Sequence, residues 1–224
     1  MSVAAVVFDL DGTLVDTLPD LHAAVRVLLA EAGLDAPSAP EVRAMIGDGA
    51  RRLVERSLAW ANAPVDAAGF DKVYERFLEI YNAAPCRESR LYAHVEPTLK
   101  ALAAQGVRLA VCTNKPQAPT EAILETLGVS SLFGAAIGGD AVPKRKPDPA
   151  HLQAVLDRLA VDPAATVMVG DSHNDLAAAQ GLGMPCILVD YGYTVVPARE
   201  LGADRVIGDF AELEAALAEL PTGG

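Results

Sequence analysis

The stretch AAVVFDLDGT (residues 4–13) places two aspartates and a glycine directly after a short apolar run. An apolar run of this length that ends in turn residues is typical of a buried strand in a parallel sheet. Further runs of the same kind alternate with patterns of helical period, which indicates an α/β protein with helices on both faces of the sheet. They lie at residues 107–113, 135–139, 166–171, 186–190 and 204–208.

Residues 16–87, called the helical segment below, interrupt this alternation. They contain no convincing strand, and their apolar residues recur with the spacing of successive helices. From capping residues and apolar periodicity, the predicted helix starts lie at or near Thr17, Ser38, Ala50 and Asp66. We therefore predict a Rossmann-like α/β core at residues 1–15 and 88–224, with the helical segment inserted as an all-helical cap.

The chain of 224 residues carries a formal net charge of −12, so we expect its surface to repel nucleic acid and anionic lipid. Charge follows the first apolar run too soon for a membrane span, and no basic leader precedes it. Three widely separated cysteines fit neither a zinc site nor a disulfide framework, which favours a reducing, cytoplasmic location. A monomer and a homodimer both stay open, and the tail PTGG (221–224) is expected to be frayed.

The acidic turn after the first strand is the first candidate for chemistry. Ligands of open α/β sheets bind outside the carboxyl ends of the strands, where Asp9 and Asp11 are expected. Gly12 lets the backbone bend at this point, just before Thr13. Two neighbouring carboxylates push their pKa values apart, so one can act as nucleophile or metal ligand while the other carries a proton. The alternative is a solvated acidic turn.

Three other strand ends are followed by polar residues. Thr113 and Asn114 offer neutral donors for phosphate oxygens, although a Thr-Asn turn often bonds only its own backbone. Lys146 lies in PKRKPDP, where the alternative is a basic run on a solvated surface. Asp171 ends the fourth predicted strand, and Asp175 follows one helical turn later on the same side. Together with the first acidic turn, these side chains predict one polar binding site at the edge of the sheet.

The expected site is strongly acidic, and Lys146 is expected to supply its positive charge. Two like unit charges about 4 Å apart repel each other by roughly 4 kcal/mol at an effective dielectric constant of about 20. Several carboxylates therefore cannot stay ionised beside a phosphate without a further positive charge. A divalent cation is therefore expected, and ligands that are all oxygen favour Mg²⁺. Zinc would need a second nitrogen or sulfur ligand beside His173, which is expected to be an exposed imidazole. The carboxylates are those of Asp9, Asp11, Asp171 and Asp175.

The motifs DLDGT, Thr113, Lys146 and GDSHND, in this order, resemble those of the haloacid dehalogenase-like hydrolase superfamily. The resemblance extends over essentially the whole chain, including the inserted helices. It implies that Asp9 attacks phosphorus to give an aspartyl-phosphate, and that Asp11 protonates the leaving alcohol and later activates water. It also implies that Thr113 and Lys146 hold phosphoryl oxygens, and Asn114, at the same strand end, stays a candidate phosphate donor.

The same resemblance implies a metal site. Mg²⁺ would be bound by the Asp9 carboxylate, the Asp11 backbone carbonyl and Asp171, with Asp175 in support. A second acid at Asp11 favours phosphate monoester chemistry over dehalogenation. Lys72, the one lysine of the helical segment, gives little support to the Schiff-base route of phosphonate cleavage.

Two stretches, MIGDGARRLVERSLAWA (45–61) and LYAHVEPTLKALAAQGVRLAVCTNKP (91–116), resemble the bacterial phosphoglycolate phosphatases in particular. This resemblance implies an enzyme that hydrolyses 2-phosphoglycolate, a small phosphorylated metabolite, to glycolate and phosphate. A broader sugar-phosphate or pyrophosphate phosphatase and a β-phosphoglucomutase-like mutase share the core motifs and stay open. The non-enzyme alternative is a binding protein with an acidic Mg²⁺ pocket.

The glycine-rich stretch MIGDGARRLVER (45–56) is the candidate for substrate recognition by the cap. Gly47 and Gly49 offer flexible backbone, and the helix N-terminus that follows attracts an anion. Arg51 or Arg52 is expected to meet the carboxylate of the substrate. The alternatives are a simple turn and two arginines that decorate the outer face of a helix.

Overall fold

The computed structural model describes residues 3–220, which form eight strands and nine α-helices. In chain order they are β1 (Ala5–Phe8), β2 (Val15–Asp16), α1 (Leu18–Glu31), α2 (Ala39–Arg43), α3 (Ala50–Trp60), α4 (Ala67–Asn82), β3 (Arg90–Leu91), α5 (Val95–Ala104), β4 (Arg108–Cys112), α6 (Gln117–Thr126), β5 (Phe133–Ile137), α7 (Pro149–Leu159), β6 (Thr166–Gly170), α8 (His173–Gln180), β7 (Cys186–Val189), β8 (Arg205–Ile207) and α9 (Leu213–Ala218). Each of the six strands predicted from the sequence is present close to its expected bounds.

Six strands form one sheet in the order β5-β4-β1-β6-β7-β8. Every neighbouring pair is parallel; Val7 of β1, for example, lies between Ala110 of β4 and Met168 of β6. From β1 the chain first builds the sheet on one side, and then crosses to the other side. The turns after β1, β4 and β6 therefore meet at a topological switch point, where ligands of open α/β sheets bind.

Helices cover both faces of this sheet. Side chains alternate along a strand, so each strand presents apolar side chains to both faces, and the helices bury them. Val6 and Phe8 of β1 pack into the core with α5, α6 and α9, whereas Ala5 and Val7 pack with α7 and α8. All four side chains are fully buried. The predicted α/β architecture, a parallel sheet covered by helices on both faces, is confirmed.

Helices α1–α4 of the helical segment surround a hydrophobic cluster of their own. The helix starts agree with the prediction: Thr17, Ser38 and Asp66 are the N-cap residues of α1, α2 and α4, and α3 begins at Ala50. The backbone N–H of Ser38 donates to the Glu41 carboxylate at 2.7 Å, as the predicted capping box requires. The buried members of the cluster include Leu21, Val25, Leu29, Val54, Phe77 and Tyr81.

An antiparallel ribbon of two short strands, which the sequence did not predict, joins the helical segment to the sheet. β2 pairs with β3, with Val15 opposite Leu91 and Asp16 opposite Arg90. Strands of two residues are too short to produce a periodic pattern. The chain thus leaves toward α1 and returns from α4 at adjacent points.

A buried carboxylate fastens the returning chain beside this ribbon. Asp20 of α1 accepts hydrogen bonds from the backbone N–H of Glu88 at 3.0 Å and of Ser89 at 2.8 Å. It also accepts a hydrogen bond from the Ser89 hydroxyl at 2.6 Å. Because a buried carboxylate needs several donors, Asp20 specifies where the chain re-enters the sheet.

None of the helices within residues 3–220 combines the length and the apolar composition that crossing a membrane requires. The cysteines Cys86, Cys112 and Cys186 are free thiols. The tail that was expected to be frayed, residues 221–224, lies outside the described residues.

Candidate active site

Asp9 lies directly after β1 at the switch point of the sheet. Its backbone N–H continues the sheet by donating to the Val169 carbonyl at 2.9 Å. Its Oδ1 accepts the backbone N–H of Leu10 at 2.7 Å, so the carboxylate is oriented by its own turn. The residue is 7% exposed. Burial raises the pKa of Asp9 to about 6. The charge of Lys146 opposes this shift, whereas the charges of Asp175 and Asp11 reinforce it.

Lys146 supplies the counter-charge to this carboxylate, as predicted from the sequence. Its Nζ lies 3.1 Å from Asp9 Oδ1 and 2.6 Å from Asp175 Oδ1. Burial opposes the ammonium form, but the carboxylates of Asp175 and Asp9 outweigh it and raise the pKa of Lys146 above its ordinary value. Lys146 is therefore a permanently charged, buried donor between two acids.

The loop that carries Lys146 is fixed by a buried histidine on α7. His151 Nδ1 accepts the backbone N–H of Lys146 at 3.4 Å, and its Nε2 donates to the Ile137 carbonyl at 3.2 Å. Burial, together with the Lys146 charge, lowers the pKa of His151 to about 4. The neutral imidazole thus connects the end of β5 to the lysine, a contact that the sequence did not suggest.

Asp171 and Asp175 follow β6 and complete an acidic cluster with Asp9. Asp175 Oδ2 accepts three hydrogen bonds, from the backbone N–H groups of Asp171 and Ser172 and from the Ser172 hydroxyl. Asp171 Oδ2 accepts the backbone N–H of Tyr193 at 2.5 Å. Burial, reinforced by the charges of Asp175 and Asp9, raises the pKa of Asp171. Both oxygens of Asp175 are therefore occupied by structural bonds.

The acidic cluster fits an oxygen-bound cation. One oxygen from each of Asp9, Asp171 and Asp175 lies within 4.8 Å of the other two. Among the hydrogen bonds of residues 3–220, Asp9 Oδ2 and Asp171 Oδ1 have no partner, so these two oxygens are free to be ligands. With Asp11, the site holds four carboxylates against two lysines, Lys115 and Lys146, a formal charge of −2 when all are ionised.

Asp11 forms a second buried ion pair that sequence reasoning missed. Lys115 Nζ lies 3.0 Å from Asp11 Oδ1 and 3.3 Å from Oδ2, and the Thr17 hydroxyl donates to Oδ1 at 2.7 Å. The same ammonium lies 4.6 Å from the centre of the Tyr81 ring. Burial opposes its charge, but Asp11 and Tyr81 raise the pKa of Lys115. Lys115 stands two residues after Thr113 at a strand end, which is the signal that could have found it.

Thr113 and Asn114 occupy different roles in the turn after β4. The Thr113 hydroxyl oxygen accepts the backbone N–H of Lys115 at 3.3 Å, so its proton stays available for a ligand. The Asn114 side-chain amide donates to the carbonyls of Gly47 at 3.1 Å and Lys146 at 2.9 Å. Asn114 therefore does not offer its amide protons to a phosphate in this structure, in contrast to the prediction. It bridges the helical segment and the lysine loop.

A cavity opens between this edge of the sheet and the helical segment. Its wall combines acidic, polar and apolar side chains, and contributions come from α1, α3 and α4 as well as from the turns after β1 and β4. The lining residues are Asp9, Asp11, Leu21, Ile46, Gly47, Gly49, Ala50, Leu53, Tyr81, Thr113, Asn114, Lys115 and Pro116. The structure thus brings Asp9, Asp11, Thr113, Gly47 and Gly49 to one space, whereas Asp171 and Asp175 are not among its lining residues.

The two arginines expected at the substrate lie outside this cavity wall. Arg51 pairs with Asp71 at 2.8 Å and stacks on the Phe70 ring. Arg52 pairs with Glu55 at 2.5 Å on the exposed face of α3. This is the arrangement of the alternative interpretation, in which the arginines decorate the outer face of the helix. Lysine, not arginine, is the cation of the cavity wall.

Gly12 and Thr13 support the site through the backbone. Gly12 has a φ of 82°, and a Cβ there would lie 2.5 Å from Asp171 Oδ2, so only glycine fits. The Thr13 carbonyl accepts the hydroxyl of Tyr191 at 2.9 Å. His173 is exposed at the start of α8, in agreement with the sequence analysis.

The turn after β7 contacts the root of the helical segment through a tyrosine that sequence reasoning also missed. The Tyr193 hydroxyl accepts the backbone N–H groups of Thr17 at 2.8 Å and Leu18 at 2.9 Å, and donates to Asp16 Oδ1 at 2.6 Å. Its own N–H holds Asp171, as described above. One residue therefore contacts both the acidic cluster and the start of α1.

The fold and the site are those of α/β proteins with a cluster of aspartates at the carboxyl edge of a parallel sheet. The family model of the haloacid dehalogenase-like hydrolases matches residues 6–189. The chain therefore belongs to this hydrolase family, which confirms the resemblance found in the sequence.

Two curated relatives over nearly the full chain are named phosphoglycolate phosphatase. The protein of Caulobacter vibrioides is 42% identical over 219 residues, which span 98% of this chain and 92% of the relative. The protein of Rhodospirillum rubrum is 43% identical over 213 residues, which span 93% of this chain and 88% of the relative.

Solved structures share the fold over most of the chain. A structure described as a predicted phosphoglycolate phosphatase from Haemophilus somnus is 35% identical, with a TM-score of 0.91 and coverage of 97% of this chain and 99% of that chain. The structure of CbbY from Rhodobacter sphaeroides in complex with phosphate is 29% identical, with a TM-score of 0.78 and coverage of 96% and 99%.

Proposed function

We propose that the protein is a Mg²⁺-dependent phosphatase that hydrolyses 2-phosphoglycolate to glycolate and phosphate through an aspartyl-phosphate on Asp9. The observation that carries the proposal is the wall of the cavity, where Asp9, Asp11 and Thr113 face one space while Lys146 pairs with Asp9. Phosphoryl transfer needs this combination of a positioned nucleophile, a proton carrier and neutralising charge. The name shared by the curated relatives supports the substrate.

The chemistry divides into two displacements at phosphorus. In the first, an Asp9 oxygen forms a bond to phosphorus, the ester P–O bond breaks, and the leaving oxygen takes a proton from Asp11 to give glycolate. In the second, water gives a proton to Asp11 and attacks phosphorus, and the bond to Asp9 breaks to release phosphate. Lys146 and the Thr113 hydroxyl stabilise the charge on the phosphoryl oxygens during both steps.

The residues that would hold Mg²⁺ are Asp9, through Oδ2, and Asp171, through Oδ1, since these oxygens have no hydrogen-bond partner among the described residues. The Asp11 carbonyl is the third proposed ligand. Asp175, whose oxygens are both occupied, orients Lys146 and the turn of Asp171. A bound Mg²⁺ supplies the charge that lets an anionic phosphate approach four carboxylates.

The helical segment, residues 16–87, is proposed to act as a cap over a core formed by residues 1–15 and 88–224. Core amides bind the loop between α2 and α3: Asn114 donates to the Gly47 carbonyl at 3.1 Å, and Asn174 donates to Asp48 at 2.8 Å. A cap that closes on the substrate excludes water from the reacting phosphorus. The three free thiols support a reducing compartment, the cytoplasm, where a small phosphorylated metabolite is the expected partner.

Substrate profiling with purified protein tests this function. We expect 2-phosphoglycolate to give the highest kcat/KM, or to be among the highest, in a panel with sugar phosphates, pyrophosphate and glucose 1-phosphate. Turnover should require added Mg²⁺ after treatment with EDTA, and Asp9→Asn should be inactive. If 2-phosphoglycolate ranks among the poor substrates, the substrate assignment is wrong; isomerisation of glucose 1-phosphate without phosphate release would indicate the mutase.

The covalent intermediate has a separate test. Acid quenching during turnover of ³²P-labelled substrate should leave label on the wild-type protein and none on Asp9→Asn. Lys100→Met, which removes an exposed lysine on α5, serves as a control that keeps the label. Turnover by the wild type with no trapped label, under conditions that accumulate intermediate, would contradict the aspartyl-phosphate.

A further inference from the structure

A buried ammonium group faces the cavity on the side of Asp11. Lys115 is 3% exposed, and its Nζ contacts the Asp11 carboxylate at 3.0 Å and the Tyr81 ring at 4.6 Å. Among the cavity-lining residues of the described chain, it is the one with a cationic side chain. The reaction steps derived above do not use it.

We propose that Lys115 is a specificity-determining residue, whose ammonium binds the carboxylate of the substrate while the phosphate group lies at Asp9. The proposal rests on the proposed function and deepens it, because it assigns the recognition of an anionic group on the leaving alcohol. The substrates it selects are phosphate monoesters with a carboxylate close to the ester oxygen.

The connectivity of such a substrate fits the position of Lys115. In 2-phosphoglycolate, the carboxylate carbon is two bonds from the ester oxygen, which is the atom that receives the proton from Asp11. A cation that touches Asp11 is therefore within reach of that carboxylate. Lys115 is such a cation. Its Nζ contacts Asp11 Oδ1 at 3.0 Å and Oδ2 at 3.3 Å, and protonation of Asp11 for the first step leaves an N–H donor for the substrate carboxylate.

The cavity wall next to Lys115 is suited to a small anion. Gly49 and Ala50 lie at the N-terminus of α3, where backbone N–H groups and the helix dipole favour negative charge. A Cβ at Gly49 would lie 2.8 Å from the Asn114 carbonyl, so glycine permits the helix to approach the turn after β4 closely. Leu53 and Tyr81 close the space with apolar surface.

Other cations near the helical segment pair with acidic residues or lie outside the cavity wall. Arg145 is the nearest of the latter, with Nη1 3.5 Å from the Cβ position of Gly49, but it is not a lining residue. Arg51 and Arg52 pair with Asp71 and Glu55 on the exposed surface. Lys146 is held between Asp9 and Asp175 at the phosphate end. The structure therefore leaves Lys115 as the group that distinguishes a carboxylate from an alkyl group at the far end of the substrate.

The test compares two substrates that differ only at this end. Ethyl phosphate carries a methyl group where 2-phosphoglycolate carries its carboxylate, so the ratio of their kcat/KM values measures carboxylate recognition. Removing a hydrogen bond to a charged group costs about 10- to 100-fold in affinity, so Lys115→Met should lower this ratio by about that factor. Damage to Asp11 alone would lower both kcat/KM values together and leave the ratio unchanged.

A binding measurement gives a readout that does not depend on turnover. In the Asp9→Asn background, Lys115→Met should raise the dissociation constant of 2-phosphoglycolate by about 10- to 100-fold and leave that of ethyl phosphate nearly unchanged. Lys100→Met, which removes an exposed lysine paired with Glu96, is the matched control and should change neither constant. Lys115→Gln replaces Lys115→Met if the methionine variant does not fold.

Two failures of this experiment are distinguishable. If the wild type does not prefer 2-phosphoglycolate to ethyl phosphate, the proposed function is wrong. If the wild type has this preference and Lys115→Met keeps it, the role of Lys115 is wrong while the function stands. A loss of the ratio in Arg51→Ala or Arg52→Ala, with Lys115→Met unaffected, would also overturn the assignment.

Discussion

Tyr193→Phe is expected to destabilise the protein far more than Tyr191→Phe, although both remove one hydroxyl from the same turn. The Tyr193 hydroxyl accepts from the N–H groups of Thr17 and Leu18 and donates to Asp16. The Tyr191 hydroxyl makes a single hydrogen bond within residues 3–220, to the Thr13 carbonyl at 2.9 Å. The pair of variants therefore isolates the value of the contacts at the start of α1.

The magnitude follows from the groups left without partners. Without the hydroxyl, Leu18 keeps a second acceptor, Asp16 Oδ1 at 3.3 Å, but the buried N–H of Thr17 loses its partner. An unsatisfied buried donor costs about 1–3 kcal/mol, and a lost hydrogen bond to a charged carboxylate about 1.5–3 kcal/mol. We expect Tyr193→Phe to lower the free energy of unfolding by about 3 kcal/mol, and Tyr191→Phe by about 1 kcal/mol.

Urea denaturation followed by circular dichroism measures both losses. For a chain of this size, about 1 kcal/mol corresponds to roughly 2–4 °C in Tm, so thermal unfolding gives a second reading. Losses in the two variants that agree within error would refute the reasoning, because they would show that the contacts of Tyr193 add nothing to those of an ordinary tyrosine. The backbone N–H of Tyr193 still holds Asp171 in the phenylalanine variant, so Mg²⁺ binding should be nearly unchanged.

Three further predictions concern single positions. Gly12→Ala should lower the free energy of unfolding by more than about 1–2 kcal/mol and weaken Mg²⁺ binding in calorimetry, because its Cβ would meet Asp171. The neutral form of His151 predominates in the folded state down to about pH 4, and the unfolded chain takes up the proton near about pH 6.5, so the unfolding free energy should fall as pH decreases through this window. At about pH 5 the effect of His151 lowers the free energy of unfolding by about 2 kcal/mol relative to neutral pH. His151→Asn, which lacks this group, should therefore show a smaller loss of stability between neutral pH and about pH 5 in urea denaturation. Asp20→Asn should destabilise by about 2–4 kcal/mol in the same assay, because an amide cannot accept all the donors that the carboxylate accepts.

Each of these predictions has a contrasting outcome. Gly106→Ala is the control for the first, since Gly106 has a φ of 81° but open space around its Cβ position, and an equal loss in both variants would show that contact with Asp171 is unimportant. An unchanged pH dependence in His151→Asn would mean that folding does not shift the pKa of His151. A loss below about 1 kcal/mol in Asp20→Asn would mean that its donors find water instead.

The sheet and the convergence of polar residues at its edge follow from local signals. Each main strand is a short apolar run, and polar residues after β1, β4 and β6 converge because parallel strands end at one edge. Asp9, Lys146 and Asp175 were predicted as separate motifs, and the structure joins them by direct ion pairs.

The missed contacts depend on which group a side chain meets, and periodicity carries no such information. Lys115 and Tyr193 also follow strands. A lysine or tyrosine in a turn is expected to be solvated unless its partner is known, and the partners of these two lie far away in the sequence. The role of Asn114 as a bridge depends on the approach of Gly47 from a distant part of the chain. The arginines Arg51 and Arg52 were expected at the substrate because of their charge, whereas the orientation of α3 turns them toward acidic partners on the surface.

The ribbon of β2 and β3 has a consequence for how such a chain can change during evolution. Because Val15 and Leu91 are paired neighbours, everything between them begins and ends at one point on the sheet. Insertions, deletions or exchange of the intervening helices leave every strand of the parallel sheet in its order. Mutations confined to one part of the gene can thus change the cavity wall contributed by α1, α3 and α4, while the aspartates and lysines at the edge of the sheet keep their positions.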